Sequence, residues 1–431
     1  MKLFQQMLVA STALSLTVPI AAQASQKMNI DGMKSYVRSE KSRPRIDSKT
    51  FVNQVNEDLA NLNDRIDSLE AHQNIIEAGG FSDTTTLDGK AVFTLAAADH
   101  NGTYANDANG SSSGEALMSQ YMYVMNLNTS FTGDDNLYVR LKTGNASGWT
   151  QDEEEGGYLS SSNSGQGGDV LDIDKLWYTF PVGDKHSFWV GPKIENYYMH
   201  GTTPSIYSPT LKQFTLGGNA SAYGASTNSG FGYAYKLDNG LAISTNFVSQ
   251  QNANATRGLL TNEAPTSWAT QIGYTQPQYS VSAIVNLKYN GWADSYFGTT
   301  NGIARAGNST NVGLRAWWRP QETGTATPSI SIGADFSEID GAAAGQGSTD
   351  MYFVGLNWAD MIQADDKIGV AFGQPQARED DTVDPFSWEA YYQYQINDST
   401  NLRGTVFGNS DRDGTAGNDN SGVVVETTFK F

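Results

Sequence analysis

A two-residue rhythm, repeated from about Thr84 to the last residue, limits this chain more than anything else in it. In residues 119–143, Tyr121, Tyr123, Met125, Leu127, Thr129 and Phe131 fall on one face of an extended segment, and Asn126 and Asn128 on the other. Successive strand side chains point to opposite faces, so this alternation builds a sheet with one greasy and one wet surface. Residues 133–136 (Gly-Asp-Asp-Asn) read as a turn, because these residue types accept turn dihedrals and bond their own backbone. Leu137, Val139 and Leu141 then resume the apolar row, and Tyr138, Arg140 and Lys142 the polar one. The unit returns with apolar rows in 279–289, 330–336 and 388–396, whose alternates include Lys288, Asp335, Glu389 and Gln393.

The connections between these segments alternate in length. Short ones fall near 133–136, 183–185, 238–240, 276–278, 320–326, 360–366 and 397–400. Long ones fall near 99–115, 146–168, 200–228, 252–265, 291–308, 341–348, 376–385 and 411–420. Seven short and eight long connections imply sixteen strands, and strict alternation separates two ends of a closed barrel. Sixteen strands enclose too wide a space for side chains to fill, so the polar row should line water and the apolar row meet lipid. Closure also removes unpaired strand edges, which hydrocarbon penalises by several kcal/mol per group. Aromatics gather where strands end, as membrane girdles require, although adjacent pairs such as Trp317-Trp318 must send one ring inward. The expected fold is all-β: a 16-stranded antiparallel transmembrane β-barrel over 84–431, turns on the periplasmic side, preceded by a short periplasmic coiled-coil helix.

That helix is read at 51–78. Val52, Val55, Leu59, Leu62, Ile66 and Leu69 form a heptad seam that continues to Gln73 and Ile76. About three heptads are weak alone and hold where another contact gathers the chains. A homotrimer is preferred because the barrel is compatible with one; the seam itself does not count strands, and a single amphipathic helix is the alternative. Residues 1–24 read as a signal peptide: Lys2, an apolar stretch broken by Pro19, then Ala22-Gln23-Ala24. Residues 25–50 form a polar linker with Arg38, Lys41, Arg43, Arg45 and Lys49. A weak peptidoglycan-side contact for that basic stretch would rest on electrostatics alone, which salt screens. The net charge of −19 argues against nucleic acid, which needs a basic stripe. With no cysteine, thiolate chemistry and Cys-held metals are excluded, and four scattered histidines offer no ligand spacing. No cofactor and no catalytic residue are expected.

The opening MKLFQQMLVAS, the NLNDRIDSLEA segment before FSDTTTLDGKAVF, and DIDKLWYTFPVGDKHSFWVGP (172–192) resemble cyanobacterial outer-membrane porins of the carbohydrate-selective, or iron-uptake, group. The final strand, VVVETTFKF, also resembles the assembly signal of bacterial outer-membrane barrels, which ends on an aromatic residue. The resemblance implies a trimeric general-diffusion pore for small hydrophilic solutes and inorganic ions, set in outer-membrane lipid and lipopolysaccharide. Such porins usually carry a surface-layer-homology module before the coiled coil, and 25–49 is too short for one. A structural tether between outer membrane and cell wall is the alternative function.

A pore needs a constriction whose width and charge set what passes. Residues 200–228, rich in Gly, Ser, Thr and Tyr with Lys212 as their only cation, are expected to fold into the lumen as that constriction. Alternation points Arg140, Lys142, Lys193, Arg315 and Arg403 inward, opposed by Asp172, Asp174, Glu195, Asp335 and Glu389. Opposed charges across a narrow lumen would produce a transverse field with weak ion selectivity. Parity changes between Ile173 and Leu176, which predicts a bulge beside Asp174. Acidic runs at 152–155 and 379–381 read as solvated outer loops, with divalent bridging to lipopolysaccharide as the sharper reading. Asp411 to Gly414 begins like a calcium loop but lacks its terminal Glu.

Overall fold

The computed structural model describes residues 84–101, 116–151, 158–163, 168–224, 227–250, 257–290, 292, 307–342 and 344–431. The segments read as signal peptide (1–24), linker (25–50) and coiled coil (51–78) lie outside the described residues.

Sixteen strands are found among the described residues. The first four are β1 (Thr85–His100), β2 (Met118–Thr129), β3 (Asn136–Gly144) and β4 (Asp172–Val182). Then come β5 (His186–Ile194), β6 (Asn228–Lys236), β7 (Leu241–Ser249) and β8 (Thr266–Gln276). The third quarter is β9 (Tyr279–Tyr289), β10 (Asn308–Trp318), β11 (Ser329–Asp340) and β12 (Ser348–Ala359). The last is β13 (Lys367–Arg378), β14 (Phe386–Asn397), β15 (Thr400–Ser410) and β16 (Asn420–Lys430). Each strand pairs antiparallel with its sequence neighbours, and β1 pairs with β16 from Lys90↔Lys430 to His100↔Asn420. No strand edge is left open in this ring, the condition hydrocarbon imposes.

The two faces are inverted relative to a soluble barrel. Phe336 and Ile272 are 53% and 50% exposed, whereas Asn286 and Gln271 on the opposite face are 0% and 1% exposed. On β10, Leu314 and Trp318 face out while Asn311, Arg315 and Trp317 are buried within. The adjacent Trp317-Trp318 pair therefore splits across the wall, as alternation requires. An exposed belt of Ile, Val, Leu, Phe and Trp is stable only where the solvent is itself apolar.

Connections alternate between the two ends of the barrel, but their lengths contrast less than the sequence suggests. At the turn end, 319–328 is as long as 411–419 at the loop end, and 341–347 and 379–385 are short. β12 and β13 extend the sheet to Ser348 and Arg378 and absorb residues read as loop. The expected irregularity near Asp174 is present: pairing shifts between Arg140 and Leu141 opposite β4, and again between Leu176 and Tyr178 opposite β5.

Closure is fixed at the final residue. Gly89 N–H donates to the Phe431 carbonyl at 2.9 Å, and Phe431 N–H returns to Gly89 at 3.2 Å. The Phe431 ring stacks on Tyr123 at 5.6 Å on the outer face. A Cβ at Gly89 would lie 2.3 Å from the Val124 carbonyl and 2.7 Å from that ring, so only glycine lets the two ends meet.

Candidate functional site

After β5 the chain leaves the wall at Glu195 rather than at 200, makes a 3-10 turn over Asn196–Met199, and runs inside the barrel to 224. Every strand it meets presents its inner row. Gly201 N–H donates to Ser244 Oγ on β7 at 3.0 Å, and Thr202 bonds Gln271 Oε1 on β8 through both its N–H and its hydroxyl. Trp317 Nε1 donates to the Thr203 carbonyl, and Ile206 N–H to Ser331 Oγ. Farther round, Thr210 shares a hydroxyl hydrogen bond with Thr405, and Gln213 donates to Asn409, both on β15. A second 3-10 segment, Lys212–Gly217, then turns the chain back. Ser221 donates to Gln376 on β13, and the Asn286 amide on β9 donates to the Ala222 carbonyl.

The underside of this loop is apolar. Tyr207, Leu211 and Phe214 pack with Phe353, Tyr391 and Phe407 of the wall, with Tyr207 and Phe214 each 5.7 Å from the Phe353 ring. Burying three such side chains contributes several kcal/mol, roughly 1.5–3 each. The wall is cut away to admit the loop: a Cβ at Gly333 would lie 1.8 Å from the Gly217 carbonyl.

Three of the expected lumen charges hold this loop in place. Arg315, buried, donates to the Leu216 carbonyl at 2.9 Å and the Gly218 carbonyl at 2.8 Å, pairs with Asp335, and sits 4.6 Å from the Tyr223 ring centroid. Asp335 accepts the Ala222 N–H at 3.1 Å. Glu389 accepts from the Tyr207 hydroxyl at 2.8 Å, the Leu211 N–H at 2.7 Å and the Thr210 N–H at 3.2 Å. Arg315, Asp335 and Glu389 thus do not oppose one another across open water, as alternation alone suggested; they lie beneath the loop. Arg403 works at its edge, donating to the Ser208 carbonyl and hydroxyl at 3.2 Å and to Gln393 at 2.8 Å, over the Tyr391 ring.

Of the remaining expected residues, Arg140, Lys142, Asp172 and Asp174 stand on β3 and β4, beside the loop's root. Arg140 lies 3.7 Å from Asp174 and donates to the Tyr198 hydroxyl at 3.1 Å. Lys142 pairs in register with Asp172. Glu195, at the loop's root, binds Lys175 at 2.9 Å and accepts from Thr227. Lys212 sits in the loop, its N–H on the Tyr158 carbonyl. Lys193 is a correction. The double shift in register pairs it with Leu176 on the outer row, exposed, its ammonium on the Ile173 carbonyl.

Sequence reasoning also passed over inner-row charges. Lys175 faces in because the bulge resets parity on β4, which pairs it with Arg140. Lys90, Glu426 and Lys430 belong to the inner rows of β1 and β16, a placement the outward Phe93 and Phe429 of the same strands already indicated.

Known proteins agree with this architecture. The family described as carbohydrate-selective porin, OprB family, matches residues 47–431. An uncharacterized protein of Nostoc sp. (strain PCC 7120) is 25% identical over 424 residues, spanning 87% of this chain and 70% of that protein. The high-pH structure of Pseudomonas putida OprB superposes with a TM-score of 0.58 at 11% identity, covering 84% of this chain and 96% of its own. A triple mutant of the Rhodopseudomonas blastica porin gives 0.50 at 10% identity, over 80% of this chain and all of its own. A loop-deleted OmpT of Vibrio cholerae also gives 0.50 at 10% identity, over 81% and 100%. These structural likenesses speak to the fold; the family match decides membership. With a closed sixteen-stranded barrel, greasy outside and polar inside, this chain belongs to the OprB family of carbohydrate-selective porins of the outer membrane.

Proposed function

We propose that the chain is a general-diffusion porin, passing small hydrophilic solutes and inorganic ions through the part of the lumen that the loop at 195–227 leaves open. The observation that carries this reading is the loop's course. It binds the inner rows of β7 to β15 and packs an apolar underside against the wall, while Lys90, Asn126, Arg140, Lys142 and Glu426 of β1, β2, β3 and β16 present charge and amide to the same lumen, beside a small apolar patch of Val92, Met122 and Val124. A segment so placed narrows a water-filled barrel without closing it, and its polar edge together with the facing wall sets the eyelet. Removing residues 205–224 is expected to raise single-channel conductance in planar bilayers. Unchanged conductance from a folded deletion variant would refute the constriction.

The pore works as a homotrimer in lipopolysaccharide-bearing lipid, its heptad segment standing in the periplasm. Conductance steps in units of three support that assembly, and single-unit steps overturn it. Arg140, Lys142, Asp172, Asp174, Glu195 and Lys212 are the charged groups that passing solutes meet, with Arg403 at the loop's edge.

A further inference from the structure

The chain carries a net charge of −19, yet the arc of the lumen formed by β1, β3, β4 and β16 has the opposite bias. Lys90, Arg140, Lys142, Lys175, Arg403 and Lys430 face it from β1, β3, β4, β15 and β16, and Lys212 faces it from the loop. These charges share one volume with the acids nearest them, for those of Glu426, Arg140, Arg403 and Lys430 act on Lys90, and those of Asp174, Lys212, Lys175 and Arg140 act on Lys142. The carboxylates of the same arc are Asp88, Asp172, Asp174, Glu195 and Glu426. Asp174 and Glu195 are held by Arg140 and Lys175, at 3.7 and 2.9 Å, and Asp88 accepts the amides of Asn126 and Asn128. Lys90, Lys142 and Arg403 have no carboxylate within the 4.0 Å of an ion pair among the described residues. Glu389 and Asp335, the other inner acids named above, are sealed under the loop.

We propose that this arc makes the narrow section of the pore prefer small anions, such as chloride and inorganic oxyanions, over small cations. The inference rests on the porin reading above and adds the sign of its selectivity. Much of the acid that makes the whole protein negative stands at the two rims instead, such as Glu379 and Asp384 at the loop end and Asp360 and Asp365 at the turn end, where Debye screening limits its reach to about 10 Å at 0.1 M salt. Inside the eyelet, ion and wall charge cannot separate that far. One unpaired unit charge about 8 Å from a permeating ion in water changes the ion's partition roughly twofold, so the excess here gives about two- to fourfold.

The test is the zero-current potential of the purified full chain in planar bilayers under a tenfold KCl gradient. Chloride preference is the expected result. The double variant Lys90→Gln/Lys142→Gln removes two cations that hold no ion pair, and its permeability ratio should fall to about one. Lys185→Gln, at an exposed turn where Lys185 pairs with Asp238, should leave the ratio as it was. A cation preference in the natural chain overturns the proposal, as does a chloride preference that survives the double variant in a conducting channel. A chain that folds yet never conducts overturns the porin reading itself, an outcome distinct from conduction with the wrong sign.

Discussion

Glu389→Gln isolates what holds the loop inside the barrel. The carboxylate is fully buried between loop and wall and accepts from the Tyr207 hydroxyl and from the Thr210 and Leu211 N–H groups. Hydrogen bonds to a charged group are worth about 1.5–3 kcal/mol each. Glutamine keeps the shape and one carbonyl oxygen, which can still accept from Thr210 and Leu211 while the NH2 turns to the Tyr207 hydroxyl, so the contacts survive but the negative charge does not. Three charge-assisted bonds become neutral ones, each weaker by about 1 kcal/mol, which weakens docking of residues 207–211 by about 2–4 kcal/mol. Arg403 on Ser208, Thr405 on Thr210, and the Leu159–Leu211 bridge remain, so the loop stays seated most of the time. Its detached population should rise by roughly 30- to 1,000-fold, since about 1.4 kcal/mol is a factor of ten. Two measurements read this: amide exchange at residues 207–211, and brief high-conductance excursions in single-channel records. The barrel's own stability should change little, because β1–β16 closure does not touch Glu389. Exchange and channel noise both matching the natural chain would show that the loop is held elsewhere.

Other perturbations address the wall. Ile332→Arg places a charge on the outer row of β11 and should destabilise the barrel by about 2–4 kcal/mol near the bilayer midplane, measured by denaturant titration in lipid; no change would mean that this face does not meet hydrocarbon. Gly89→Val drives a side chain into the Val124 carbonyl and the Phe431 ring, so assembly into a heat-resistant band should fail while expression persists. In the β2–β3 turn, the Tyr178 hydroxyl, and then Ser130 Oγ and the Thr132 and Phe131 N–H groups, hold the Asp135 carboxyl well below its usual range. A depressed folded-state pKa contributes stability that is present above the unfolded value of about 4 and lost as pH falls toward the folded one. Asp135→Asn should therefore lower the melting temperature at pH 7, and the gap should close in acid; a gap that persists at low pH would refute the assignment.

Parity made the barrel legible. A row of Val, Ile and Phe at every second position has only one surface it can occupy, so Leu314 out and Arg315 in follow from order along the chain alone. The same reasoning fails where order is interrupted. Two register shifts within a few residues of β4 hide Lys175, which faces in, and turn Lys193 out. Connection length was a weaker guide than connection order, because strands such as β13 run on to Arg378 and consume residues that composition marks as loop.

Facing inward is also a smaller claim than lining a pore. Arg315, Asp335 and Glu389 are charged, on the correct row and still removed from water, because a polar loop thirty-odd residues long has backbone groups that need partners wherever it lies. A loop lying in the lumen must find those partners on the inner row, and a charge can serve several at once: Glu389 accepts from three donors, and Arg315 donates to two loop carbonyls. Alternation names the candidates on every strand but cannot say which strands the loop covers, since that depends on Tyr207 meeting Phe353 and on Gly333 making room. The charges divide accordingly. Those under the loop hold its course, and the proposed anion preference rests on those of β1, β3, β4 and β16, which stay on the lumen side of it.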